Sequence, residues 1–173
     1  MKGTDMLDTI ALPESSLELM PELQPEGALE WKAQVGTWDT GWHDVESSSH
    51  LCGLIQAVRH DGNWLVVQTR YIDVTRYGRY AQAMSTGSGY QVEVAMVSGG
   101  TTNNWRIGLG PLADEAGNEP HTGVAPSQNL SLAAACEVMV SWLNGHGLPL
   151  GYGAALHVYG KSANKNVERC DGR

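Results

Sequence analysis

The sequence predicts an α+β fold, in which an antiparallel meander of about five to seven strands carries one amphipathic helix on one face. Segments after Trp31 alternate apolar and polar residues with the period of a half-buried strand. Near the C-terminus, by contrast, apolar residues recur at helical spacing. The chain has 21 glycines and no phenylalanine, a composition that favours strands and turns.

The length of 173 residues predicts one domain with extensions. We predict an acidic arm at residues 1–30, the α+β domain at residues 31–160, and a flexible tail without any periodic pattern at residues 161–173. The sequence shows no pattern of a cleavable secretory signal peptide. It also contains no apolar stretch long enough to span a membrane. We therefore expect a cytoplasmic protein that does not contact a membrane.

The arm holds most of the charge, because residues 1–30 contain seven acidic residues and one lysine and so contribute −6 of the net charge of −8. Pro21 and Pro25 interrupt any helix there, which predicts an extended arm. Segments of one charge sign are typical of partner-binding regions. Five glutamates spaced by four are the candidate contacts: Glu14, Glu18, Glu22, Glu26 and Glu30.

The first predicted strand runs from Trp31 to Val35, where Trp31, Ala33 and Val35 alternate with polar residues. After a polar interval at 39–50, segments 54–60 and 63–71 flank Asp61-Gly62, a dipeptide typical of two-residue hairpin turns. We therefore predict a β-hairpin around Gly62.

Two further strands follow, at 90–96 and 105–109, each with one apolar face. The single predicted helix begins after Ser131, a favourable N-cap residue, and ends before Gly145. Residues 154–159 are predicted to form a last strand. One face of the sheet is expected to pack against the helix, and the other to contact solvent, the arm or a partner.

Four residues of metal-binding type lie within a short stretch: His43, His50, Cys52 and His60. Their spacings match no common zinc motif, so we predict no metal site and interpret them as loop and strand residues. Cys136 lies inside the apolar stripe of the predicted helix and is interpreted as a small core residue.

No catalytic residue and no cofactor is predicted. The sequence lacks a G-x-S-x-G elbow, and Gly108-Leu109-Gly110 leads into an acidic loop rather than the helix that a dinucleotide site needs. The segment 111–129 is long for a connection within a compact domain and is acidic. Its His121 and carboxylates could act as general acid and base, but no nucleophile is evident beside them in the sequence.

Arginine alternates with tyrosine between residues 70 and 80, an arrangement that can bind anionic groups, although solvated arginines beside packed rings are the favoured explanation. The candidate partner-binding residues of this cluster are Arg70, Arg76, Arg79, Tyr77 and Tyr80.

The sequence favours a non-catalytic binding protein, of the inhibitor or immunity type, that engages a basic protein partner through acidic segments. One alternative is a structural subunit, for instance of a viral particle, whose arm packs on a neighbouring copy. A second alternative is a small enzyme or anion-binding domain that uses the open sheet face. The negative charge disfavours nucleic acid, whereas a small-molecule ligand remains compatible with the sequence.

Overall fold

The computed structural model describes residues 23, 28–69, 78–98, 101–110 and 126–156. These residues form one antiparallel sheet with the order β2-β1-β4-β5-β6-β7-β8, and β3 also pairs with β1. The strands are β1 (Leu29–Val35), β2 (Trp38–Asp39), β3 (His43–Asp44), β4 (Trp64–Thr69), β5 (Gly78–Ser85), β6 (Tyr90–Ser98), β7 (Thr101–Leu109) and β8 (Tyr152–Leu156).

Two α-helices lie within the described residues, α1 (Ser48–Ala57) and α2 (Leu132–Leu143), and a short 3₁₀ turn at Pro126–Gln128 precedes α2. Each helix begins at a serine whose side chain caps a free backbone N–H: Ser47 accepts from His50 N, and Ser131 accepts from Ala134 N. Gly145 follows α2 with a φ of +79°, the left-handed conformation that ends many helices.

The core lies between the helices and one face of the sheet. Strand alternation brings Leu65, Val67, Val92 and Val94 to this face, and all four are buried. The inner faces of α1 and α2 are similarly apolar, and α2 packs on β5 and β6 as well as on α1. The buried apolar residues contributed by the two helices are Leu51, Cys52, Ile55, Leu132, Ala135, Cys136, Val138, Met139, Val140 and Leu143.

The predicted α+β class is confirmed, and so are the antiparallel sheet, the capped helix after Ser131 and the strands around Trp31, Val94 and Ile107. The predicted hairpin around Asp61-Gly62 is wrong, because its first half belongs to α1. Leu51, Ile55 and Val58 are spaced for one face of a helix and are all buried. Gly62 does take a positive φ of 81°, but in the turn that joins α1 to β4.

The helix-free face is not solvated where β6 and β7 pair. Gln91, Glu93 and Arg106 point to this face and are 9%, 3% and 8% exposed. Arg106 donates through Nε and Nη2 to Glu93 Oε1, at 3.4 and 3.1 Å, and Gln91 Nε2 donates to the same oxygen at 3.1 Å. Charged groups this deeply buried need such partners.

The boundaries predicted at residues 30 and 160 stay predictions, since the arm, the tail and most of the 111–129 segment lie outside the described residues. Among the residues that are described, no helix has the length and apolar character required to cross a membrane.

Candidate functional site at the first edge of the sheet

The first edge of the sheet is built from a tight turn between β1 and β2. Gly36 takes a φ of +61° there, and its N–H donates to Asn63 Oδ1 at 2.9 Å. Val35 and Trp38 become cross-strand partners on either side of this turn. The turn therefore fixes where the Trp38 indole emerges from the sheet.

Three apolar side chains at this edge are exposed to solvent: Val35 by 43%, Trp38 by 72% and Trp42 by 44%. We call Val35, Trp38 and Trp42 the aromatic edge. Because Trp38 lies opposite Val35 it is on the helix-bearing side, whereas Trp42 contacts Lys32 on the other side. The two indoles thus flank the sheet edge from both sides.

Lys32 organises the helix-free side of the aromatic edge. Its ammonium lies 2.8 Å from Asp39 Oδ2 and 5.8 Å from the centroid of the Trp42 ring. Asp39 Oδ1 also accepts the Gly41 N–H at 2.8 Å. The hydrogen bond from Lys32, followed by that from Gly41, lowers the pKa of Asp39 below its ordinary value, so the carboxylate stays charged at neutral pH.

Two imidazoles contact the Trp31 ring behind the aromatic edge. The centroid of His43 lies 5.1 Å from that of Trp31, and the centroid of His50 lies 6.2 Å away in an edge-on orientation. His43 Nε2 donates to Thr40 O, and His50 Nδ1 accepts from Glu46 N–H. Within the described part of the chain, no hydrogen-bond acceptor is paired with the buried Trp31 Nε1 atom. These contacts hold β3 and the start of α1 against β1.

Exposed acidic side chains lie in and beside the short strands that pair with β1: Asp39 in β2, Asp44 in β3 and Glu46 after β3. Lys32 is paired with the first of them, Asp39. Asp44 is the cross-strand partner of Glu30, which places two carboxylates directly opposite each other. The two acidic residues therefore share the helix-free face of the β1–β3 pair.

Of the predicted partner-binding glutamates, only Glu30 is described, and it lies on the helix-free face. Gln68 Nε2 donates to Glu30 Oε1 at 2.9 Å. On β5, Tyr80 is the cross-strand partner of Gln68, so its side chain lies on the same face. Tyr80 donates its hydroxyl proton to Gln82. Burial, together with the nearby Glu93 carboxylate, raises the pKa of Tyr80 and keeps the phenol neutral.

Arg79, another predicted contact residue, lies on the opposite face from Tyr80 because the two are adjacent in β5. A Cβ built at Gly145 would be 3.2 Å from its guanidinium carbon, so the cation lies against the C-terminal end of α2. Positive charge is favourable there, which gives Arg79 a structural role. Arg79 and Tyr80 therefore do not form one site.

The remaining predicted contact residues lie outside the described part of the chain: Glu14, Glu18, Glu22, Glu26, Arg70, Arg76 and Tyr77. Among described residues, no three His, Cys, Asp or Glu side chains are grouped as metal ligands. His43 and His50 meet at Trp31, whereas Cys52 is buried in the core and His60 is exposed after α1. The expected loop position of His50 and Cys52 is wrong, because both belong to α1.

The sequence alone did not indicate Trp38, Trp42 and Lys32 as site residues. A usable signal was present, because the two tryptophans fall in a polar stretch next to Gly36 and Gly41, where a core residue is not expected.

Comparison with family models, curated proteins and solved structures returned no match to this chain.

Proposed function

We propose that this chain is a non-catalytic cytoplasmic binding protein, of the inhibitor or immunity type, that engages a basic protein partner at the aromatic edge. The observation that carries the proposal is the exposure of Trp38 and Trp42 in a segment that also exposes Asp39, Asp44 and Glu46. Tryptophans at the centre of an interface commonly contribute most of its binding energy, and a polar rim surrounds them. The aromatic edge has this composition.

The outer strands favour recognition by side chains over strand addition. β2 and β3 are two residues long, so they offer little free backbone to an added strand. The indoles of Trp38 and Trp42 instead provide large, rigid contact areas on both sides of the edge. Burial of one such ring brings about 150–250 Å² of surface into an interface.

Charge defines the kind of partner. Asp39, Asp44 and Glu46 are exposed at the edge, and residues 1–30 add a further net charge of −6 in sequence. Acidic surfaces increase the association rate with basic partners, and the effect weakens as salt screens it. Lysine or arginine side chains of the partner can also stack on the indole faces, as Lys32 does on Trp42.

The test uses the full-length chain as bait in an extract of its native host. We expect the wild type and an L109A/L150A variant to retain the same basic protein, because Leu109 and Leu150 are exposed at the far edge of the sheet. A W38A/W42A variant should lose it. Equal retention by all three baits, or an acidic retained protein, would contradict the proposal.

One observation favours the alternative of an assembly subunit. The aromatic edge lies at the β1 side of the sheet, and exposed Leu109 and Leu150 lie at the β7–β8 side. Two different complementary patches produce head-to-tail contacts between copies. Light scattering of the purified chain separates the two functions: assembly requires a mass above the monomer that falls in both W38A/W42A and L109A/L150A, whereas a binding protein stays monomeric.

A further inference from the structure

The middle of the helix-free face carries polar and aromatic side chains without charge. Strand pairing and alternation place Trp64, Val66 and Gln68 of β4 and Tyr80, Gln82 and Met84 of β5 on this face. All of these side chains are half-buried. Among the described residues of β4 and β5, no acidic or basic side chain points the same way. An ionic ligand would find no counter-charge here, so this part of the face suits an uncharged ligand.

Side-chain amides on this face keep one hydrogen-bonding group unused after folding. Gln68 Nε2 donates to Glu30 Oε1 at 2.9 Å, which leaves the carbonyl oxygen of Gln68. Gln82 Oε1 accepts the Tyr80 hydroxyl, which leaves the amino group of Gln82. Within the described residues, the only buried side-chain N or O atom without a hydrogen-bond partner is Trp31 Nε1. The unused groups of Gln68 and Gln82 therefore reach solvent.

Trp64 lies between these amides. Gln34 on β1 is its cross-strand partner, and Gln82 on β5 is its diagonal neighbour, because Trp64 itself pairs with Met84. Gln34 Nε2 donates to a backbone carbonyl at 3.1 Å, and in the described part of the chain its own carbonyl oxygen has no donor. We call Gln34, Gln68, Gln82 and Trp64 the amide face. Oriented hydrogen-bonding groups thus flank a flat aromatic ring.

The chemistry of the amide face matches hydroxyl groups. A hydroxyl both donates and accepts, so it pairs with the carbonyl oxygens of Gln34 and Gln68 and with the amino group of Gln82 alike. The face of the Trp64 ring is flat, apolar and slightly negative, which suits the C–H groups on one side of a sugar ring. Because each amide is already held by its bonded half, little side-chain order has to be gained on binding.

We propose that the amide face binds an uncharged oligosaccharide, with one sugar ring stacked on Trp64 and neighbouring hydroxyl groups bonded to the three amides. The length of the ligand follows from the strand. Gln68 lies four residues after Trp64 on β4, which is about 13 Å at about 3.3 Å per residue. One sugar ring is shorter than this distance, so the site takes several linked rings.

The experiment titrates the full-length chain with soluble tetrasaccharides in a calorimeter. The neutral probes are cellotetraose, maltotetraose, mannotetraose, xylotetraose and chitotetraose, and tetragalacturonic acid is the charged comparison. We expect at least one neutral tetrasaccharide to bind at one site per chain. Tetragalacturonic acid should bind more weakly, because β4 and β5 place no cation on this face.

Two variants with matched controls locate the site. W64A should weaken binding by about ten-fold or more, and Q82A by about three- to ten-fold, as is usual for the loss of a packed ring and of one hydrogen bond. W38A and Q56A are the controls, because Trp38 and Gln56 are exposed on the helix-bearing side. If W64A does not fold, the comparison of Q82A with Q56A decides.

The proposal is overturned if none of the neutral tetrasaccharides binds, if tetragalacturonic acid binds as tightly as they do, or if the amide-face variants bind like their controls. None of these results requires the basic protein partner. Failure of the amide face and failure of the proposed binding function are therefore distinguishable.

Discussion

The tryptophans between α2 and the sheet and those at its first edge have different environments. Trp105 and Trp142 contact each other with ring centroids 6.4 Å apart, and Trp142 Nε1 donates to Ala95 O at 3.3 Å. Trp38 and Trp42 are instead largely exposed. The same residue type therefore stabilises the helix-sheet interface in one region and remains available for contact in the other.

The difference indicates where this sequence carries stability, and under the proposed function the exposed edge carries recognition. Substitutions around β6, β7 and α2 are expected to lower the free energy of unfolding, whereas substitutions at the aromatic edge should leave it nearly unchanged. The predictions that follow test this division.

The largest loss of stability is expected when the buried ion pair is broken. An R106M substitution removes the cation that donates twice to Glu93 Oε1 and leaves a carboxylate that is 3% exposed. Loss of one partner of a buried pair costs about 3–5 kcal/mol. Urea denaturation measures it, and the exposed R59M serves as the matched control. A loss below about 1 kcal/mol, the range of an exposed ion pair, would contradict a buried structural role for this pair.

A smaller loss is expected from added volume where β6 begins. A Cβ at Gly89 would lie 2.6 Å from Leu130 O, which accepts the Tyr90 N–H at 2.8 Å. Overpacking of this kind costs about 1–3 kcal/mol, so G89A should lower the thermal midpoint.

The matched glycine control is G53A in α1. Gly53 is exposed, and its added Cβ would meet nothing within 4 Å. Alanine in a helix interior is favoured over glycine by about 1 kcal/mol, so G53A should raise the thermal midpoint. A drop in both variants would show that α1 is not the helix described above.

A W142F substitution removes the indole N–H that donates to Ala95 O and so tests this one hydrogen bond. W142F leaves Ala95 O without this donor and should cost about 1 kcal/mol, with a further contribution from lost packing. W38F, at the exposed edge, should change the free energy of unfolding much less. Equal effects in the two variants would remove the distinction between the two regions.

The smallest effect on stability is expected at the aromatic edge. W38A and W42A should each change the free energy of unfolding by less than about 0.5 kcal/mol, as is usual for exposed positions. Partner binding should fall in the same variants. If W38A unfolds the chain as readily as W142F, Trp38 is a structural residue and not a contact residue.

The sequence was informative where one pattern had a single interpretation. The stripe after Ser131 with Gly145 at its end predicted α2, and the alternation around Val92 and Ile107 predicted β6 and β7. α1 was missed because Leu54 and Val58 precede Asp61-Gly62, a turn signal that occurs equally between a helix and a strand. Ser47 caps α1 but stands in a run of serines typical of a loop.

The candidate site was less predictable because it depends on exposure and register. Composition favours tryptophan in a core, and only the pairing of β1 with β2 brings Trp38 to an open edge. Adjacency in sequence was also misleading for Arg79 and Tyr80, since neighbouring residues of a strand point to opposite faces.

The most direct measurement uses the tryptophans themselves as reporters. The chain is labelled with 5-fluorotryptophan, each fluorine resonance is assigned by substitution, and the retained partner is added to saturation. We expect the resonances of Trp38 and Trp42 to shift or broaden while those of Trp105 and Trp142 stay unchanged. Unchanged Trp38 and Trp42 resonances in a saturated complex would contradict the aromatic edge as the binding surface.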